Sequence, residues 1–356
     1  MTSPPNAPEP SSPAGRPATP FATAAAVLVI AALSWYMLKE LGPVLRPLLI
    51  ATILAYVLLP YHSRLRERVT APVSIILLAG LSVALLVGLA LAVYLSVLGL
   101  NEELPRLKLR FVTFIHQFHE IVRQISPRLL DESAGTAGEQ VAGLATQAAV
   151  PVLNAAASAL LEAGVVGLYL VFLLLEASRF PDRVRLAYAP QRADEILHLA
   201  GQVNAAIVSY LKAKVRSSLI LALAVGTVLV ALGVKFAFLW AVLTFLCNFI
   251  PYLGSVTAYL LPVGFAFLQL DPGWQPIAVA VLLLACQAAS AAFVEPMLLG
   301  KAVGLSPLVI LGSLAFWGLL WSIPGMFLAV PLTVVAMLVM NHFASTRSVA
   351  KLLSGD

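Results

Sequence analysis

No Asp, Glu, Lys or Arg occurs between residues 302 and 346. As one helix these 45 residues would be roughly 68 Å long at ~1.5 Å per residue. The hydrocarbon core of a bilayer is only about 30 Å thick, so the run has to turn back. Its midpoint is Pro324-Gly325, where a missing amide donor and a permissive backbone make a helix easiest to break. A second charge-free run, 236–270, centres on NFIPYLG (248–254). Each half would span only ~22 Å as helix, which suits broken or re-entrant segments better than full spans. Non-helical backbone at membrane depth survives only where protein or a water-filled cavity covers it. Paired Pro/Gly-interrupted apolar segments point to a transporter's binding site.

The composition agrees. The chain is 60% hydrophobic and 11% charged, against about 25% charge in soluble domains, so an all-α polytopic transmembrane protein is expected. Its net charge of +5 resides in loops, where anionic membrane lipid and the positive-inside rule select it; it does not imply nucleic acid. Cys247 and Cys286 lie in apolar runs and read as packing residues rather than a disulfide or metal pair. No cofactor is expected. There is no GxxxxGK[ST] loop for an intrinsic ATPase, and neither HExxH nor GxSG for an intramembrane protease. A channel or an intramembrane enzyme remains the competing class.

In chain order, residues 1–20 carry seven prolines and read as a disordered tail. Residues 21–100 read as transmembrane scaffold helices, with a basic cluster HSRLRER at 62–68. Helical spacing of Leu107, Phe111, Phe114, Ile115, Phe118 and Ile121 makes 101–155 an amphipathic segment outside the bilayer. A transmembrane helix follows at 156–176, with Glu176 and Arg179 anchoring and pairing at its end. Residues 177–216 then form a cytoplasmic or interfacial segment striped by Ile196, Leu199, Val203, Ile207, Tyr210 and Leu211. Residues 217–343 form the transport region, with hairpins at about 217–250 and 306–340, and 344–356 a cytoplasmic tail. A cytoplasmic N-terminus puts 14 basic residues inside, Lys214 among them, and 8 outside, which sets the orientation.

NFIPYLG (248–254), EPMLLGKAVGLSP (295–307) and IPGMFLAVPL (323–332) together resemble the signature of the autoinducer-2 exporter family of bacterial permeases, over about residues 20–345. Ser322 departs from the pattern, which has glycine shortly before the Pro-Gly. The resemblance implies about eight membrane segments in the bacterial inner membrane and a homo-oligomer, with a pentamer as one form. It also implies export of a small polar signal in some members and cation–proton exchange in others.

The residues themselves nominate a path for a small polar solute, coupled to H+ or Na+. Glu295 follows a long apolar run, and a carboxylate at bilayer depth costs roughly 2.5–3.5 kcal/mol. It is either a proton or cation relay or an ion-pair partner of Lys301. Asn248 and Gln287 offer amide donors and acceptors inside apolar runs; Gln287 reads more simply as an inter-helix hydrogen bond. Pro251 and Gly254 mark one break, Ser322, Pro324 and Gly325 the other, and Gly300 a third turn. Gly325 is expected to act through its backbone freedom. His116 and His119 sit three apart without an HExxH pattern, so no metal site is expected.

Overall fold

The computed structural model describes residues 20–125, 154, 158, 161–177, 179–299, 304–343 and 345–355. Regular structure in them is helical: α1 (Pro20–Glu40), α2 (Gly42–Leu65), α3 (Ala71–Ile125), α4 (Leu161–Ala177), α5 (Phe180–Ala187), α6 (Pro190–Ala231), α7 (Ala237–Cys247), α8 (Leu253–Gln269), α9 (Trp274–Ala289), a π-helical turn (Ser290–Val294), α10 (Glu295–Leu299), α11 (Pro307–His342) and α12 (Arg347–Leu353). Five helices are long and apolar enough to cross a membrane, or six if the bent pair α4–α5 forms one span. The chain divides into two units, residues 1–43, which contain α1, and residues 44–356.

Within the larger unit, small residues let helices approach closely, as membrane packing requires. Ala51 and Ala55 of α2, Ile75 and Ala79 of α3, and Val166, Leu170 and Leu174 of α4 form one buried cluster. A buried His62–Ser74 hydrogen bond of 2.8 Å ties α2 to α3. Leu221, Val225 and Leu229 of α6 pack with Trp240, Phe265, Val279 and Leu283 of α7–α9 in a second cluster. A third joins Val203, Ile207 and Tyr210 of α6 to Val330 and Val334 of α11. The outward faces keep Ile76, Leu85, Leu223 and Val281 exposed, as contact with lipid demands.

Helix α3 runs unbroken for 55 residues through Pro105. The change from apolar to amphipathic character near residue 101 therefore marks the end of the apolar stretch, not of the helix. Around it lies a polar cluster at one end of the bundle. Lys235 donates to Glu103 at 2.8 Å, the Gln269 amide bonds the backbone of Gly233 and Lys235, and Arg110 pairs with Asp271. The 26-residue helical run Trp274–Leu299 leads away from this cluster for about 39 Å. At the far end α12 joins the start of α11 through Ser306, Leu353 and Gly355 backbone bonds.

Two helical hairpins follow from this arrangement. In α11 the backbone leaves helical geometry at Trp321 and Ser322. The limbs then run antiparallel, with Ser313 Oγ donating to the Ala329 carbonyl at 3.1 Å and meeting the Thr333 hydroxyl. This is the hairpin expected at 306–340, with its tip at 322. The chain also reverses at 232–236, inside the expected 217–250 hairpin, with Gly233 and Phe236 at positive φ. That turn belongs to the polar end. The short-armed reversal is α7–α8, whose tip is 248–252, as the charge-free run 236–270 requires. The α7–α8 hairpin opens toward the polar end and α11 toward the other. They meet in the interior, where Phe249 stacks on Phe327 with ring centroids 4.5 Å apart.

Candidate transport site

Each hairpin tip carries a strained non-glycine residue. Tyr252 has φ 62° and ψ −62°, and the Leu253 amide bonds the Pro251 carbonyl at 2.7 Å; this is the rare γ-turn geometry. Ser322 has φ 56° and ψ −138°, a region glycine occupies without penalty. The two glycines beside the tips serve close approach. A Cβ on Gly254 would lie 1.7 Å from the Cys247 carbonyl oxygen, and one on Gly325 1.9 Å from that of Trp317. Gly325 has helical backbone angles, so its importance lies in the missing side chain rather than in the backbone freedom expected of it.

A cavity of about 520 Å³ is bounded by α6, the α7–α8 tip, α9 with its π-helical turn, α10 and the α11 limbs. Asn248, Pro251, Gln287 and Glu295, four of the residues nominated from sequence, line it, together with Tyr210, Lys214, Ser255 and Ser290. Ile250, Leu284, Leu299, Ile310 and Val330 supply apolar wall. Gly254 lies beside the lining. Ser322, Pro324 and Gly325 hold the α11 tip outside it, and Gly300 and Lys301 fall outside the described residues, as do the side chains of His116 and His119. Among the described residues no cluster of three or more His, Cys, Asp or Glu could hold a metal, and both cysteines are free thiols.

The Glu295 carboxylate receives a 2.6 Å hydrogen bond from Lys214, 81 residues earlier in sequence. The Lys214 side chain is 6% exposed and that of Glu295 33%. Lys214 is thus a buried cation facing the cavity, not one of the cytoplasmic-surface lysines of the positive-inside count. Asn248, buried at the end of α7, donates through Nδ2 to Ser218 at 3.0 Å. Gln287 differs from the expected inter-helix bridge. Its Nε2 is shielded and has no partner among the described residues, and the same holds for Ser290 Oγ. Ser290 begins the π-helical turn, a feature that recurs at functional sites because it re-aims side chains and frees carbonyls. Sequence reasoning missed Lys214, Tyr210, Ser218 and Ser290. An interrupted amphipathic stripe, with Lys214 only three residues past Leu211, was the one available signal.

Beyond this site, Glu162 of α4 lines a second cavity of about 260 Å³ whose other walls are apolar residues of α2, α3, α4 and α7. Glu176 pairs with Arg183 rather than Arg179 at the α4–α5 bend.

Comparison with known proteins places this geometry in context. Residues 25–345 match the AI-2E family transporter. The chain is 34% identical over 187 residues to AI-2 transport protein TqsA of Escherichia coli strain K12, covering 52% of this chain and 54% of that protein. It is 33% identical over 192 residues to a transport-class protein of Haemophilus influenzae, covering 53% and 54%. It is 28% identical over 201 residues to the permease-class PerM of Escherichia coli strain K12, covering 55% and 54%. The chain thus spans about half the length of the curated relatives it matches.

Proposed function

Since the chain belongs to the AI-2E transporter family and is a multi-pass protein of the bacterial inner membrane, we propose that it is a secondary transporter. In this reading a small polar solute is carried through the 520 Å³ cavity by relative motion of the two hairpins. The observation that carries the reading is the Lys214–Glu295 pair, its lysine buried and its carboxylate a third exposed, set beside unpartnered polar atoms and the strained α7–α8 tip. Charges and orphan donors in an apolar interior are costly to maintain. They are explained by a bound solute that satisfies them and by a motion that exposes them. The freed backbone at the tips adds partial charges suited to a polar solute or ion.

Glu295 is the coupling carboxylate, for H+ or Na+, with Lys214 as its partner in the empty state. A cation–proton antiporter is the second reading, favoured by that same carboxylate. An autoinducer-2-like signal is one solute to test, by similarity to TqsA. The protein acts as a homo-oligomer in membrane lipid and needs no enzyme chemistry. The test is flux through purified protein in liposomes with a panel of small polar metabolites and an imposed pH or Na+ gradient. Saturable, gradient-dependent flux is expected, with the pH response weakened in Glu295→Gln. Flux that never saturates would make the protein a channel, and an unchanged pH response would remove Glu295 from the coupling.

A further inference from the structure

We propose that the solute taken by this cavity is a carboxylate with a small apolar body, and that its carboxylate replaces the Glu295 side chain on the Lys214 ammonium. This rests on the cavity being the solute site and specifies what binds there. Lys214, Gln287 and Ser290 line the space, and the Gln287 and Ser290 donor atoms, shielded in the empty protein, reach an occupant when their side chains turn inward. Lys214 Nζ has three protons to place, and the described residues give it the Glu295 oxygen. Gln287 Nε2 donates only and is unpartnered among the described residues, and Ser290 Oγ, also unpartnered, can donate. Such a set asks for an occupant rich in acceptor oxygens. A carboxylate offers about four lone-pair sites and no donors. An ammonium compound would set its N–H groups against those of Lys214 and Gln287. Ile250, Leu284, Ile310 and Val330 give the rest of the solute an apolar berth.

Charge balance adds the coupling. Lys214 and Glu295 are neutral together, so an added carboxylate leaves one uncompensated negative charge at low dielectric, which is expensive. A proton taken up by Glu295 cancels it. The solute carboxylate and one proton are therefore bound together, and Lys214 exchanges one anionic partner for another. Lys214 bonds Glu295, Tyr210 of α6 lies within its electrostatic reach, and the other titratable group lining the cavity is Tyr252 at the α7–α8 tip, while α11 contributes Ile310 and Val330 to the lining.

The experiment compares binding of benzoate, benzamide and benzylammonium to the purified full-length protein by calorimetry between pH 5 and 8. Benzoate alone is expected to bind, more tightly at lower pH. Glu295→Gln, which removes the internal competitor, should bind benzoate roughly tenfold tighter at neutral pH and lose the pH dependence; Lys214→Met should lose binding by at least as much. The double variant Lys214→Met with Glu295→Gln leaves no lone buried charge, so it guards against misfolding, and it should bind benzoate no better than benzamide. Weaker benzoate binding in Glu295→Gln, or equal binding of the three probes, overturns the proposal. If a neutral polyol is carried with cavity-dependent flux while benzoate does not bind, only this inference fails. If nothing in the panel is carried and benzoate does not bind, the solute-site reading fails with it.

Discussion

The glycines of α11 allow a graded test of how the hairpin is built. A Cβ at 325 would lie 1.9 Å from the Trp317 carbonyl oxygen. Non-bonded carbon contacts settle at about 3.5 Å, so the limbs must part by about 1.5 Å beside the tip. Overpacking of this kind costs ~1–3 kcal/mol, and the upper end applies because the obstacle is backbone. At Gly318 the obstacle is the Met326 side chain, 2.7 Å away, which can rotate. At Gly312 nothing lies within 4 Å, and alanine gains roughly 0.5–1 kcal/mol over glycine in a helix. Gly325→Ala should therefore be less stable than Gly312→Ala by about 2–4 kcal/mol, with Gly318→Ala between them. Thermal unfolding of the detergent-purified variants reads this directly. The hairpin packing is wrong if Gly325→Ala melts at or above the Gly312→Ala midpoint.

Three further outcomes are expected. Ser322→Gly should raise the melting midpoint, because strain of about 1–3 kcal/mol at φ 56° is relieved and glycine's entropic cost of ~0.5–1 kcal/mol offsets only part of it; a lowered midpoint would refute the strain. The Lys235 hydrogen bond, then the Lys235 and Arg106 charges, hold the Glu103 carboxyl below its ordinary range. A depressed carboxylate contributes stability above its unfolded pKa and loses it as pH falls through the folded one. The melting advantage of wild type over Glu103→Gln should therefore be present at neutral pH and vanish as pH falls below about 4, and a pH-independent difference would contradict the assignment. Finally, with Cys247 and Cys286 replaced, an impermeant thiol reagent added to intact cells should label Ser133→Cys and spare Ser178→Cys; the opposite pattern would invert the topology.

Much of this architecture was legible in charge spacing. Forty-five charge-free residues cannot be one span, so the α11 hairpin and its tip follow from length alone; NFIPYLG marks a break for the same reason, but the hairpin expected at 217–250 has that break at its exit, whereas the structure makes it the tip of α7–α8. Asn248 and Glu295 stand out because polar groups in apolar runs are costly. The partner of Glu295 was not legible. Lys214 is 81 residues away, and a lysine at the end of an amphipathic stripe looks like a surface residue until tertiary packing buries it. Gln287 looked like a helix bridge because a sequence does not show that no partner on a neighbouring helix reaches its amide nitrogen or that its side chain lines a cavity. The role of Gly325 was misread for a related reason. Glycine serves both turns and close contacts, and only the position of the Trp317 carbonyl separates them.

In the proposed transport cycle the two hairpin tips part while solute crosses. The direct measurement places Phe249→Cys and Phe327→Cys, whose native rings stack at 4.5 Å, in a background without Cys247 and Cys286. The pair is joined by a short bifunctional thiol reagent with a cleavable link, and solute flux in liposomes is followed before cross-linking, after it and after cleavage. Flux should be lost on cross-linking and return on cleavage, while either single cysteine treated alike keeps its flux. Full flux through the cross-linked protein would contradict the account.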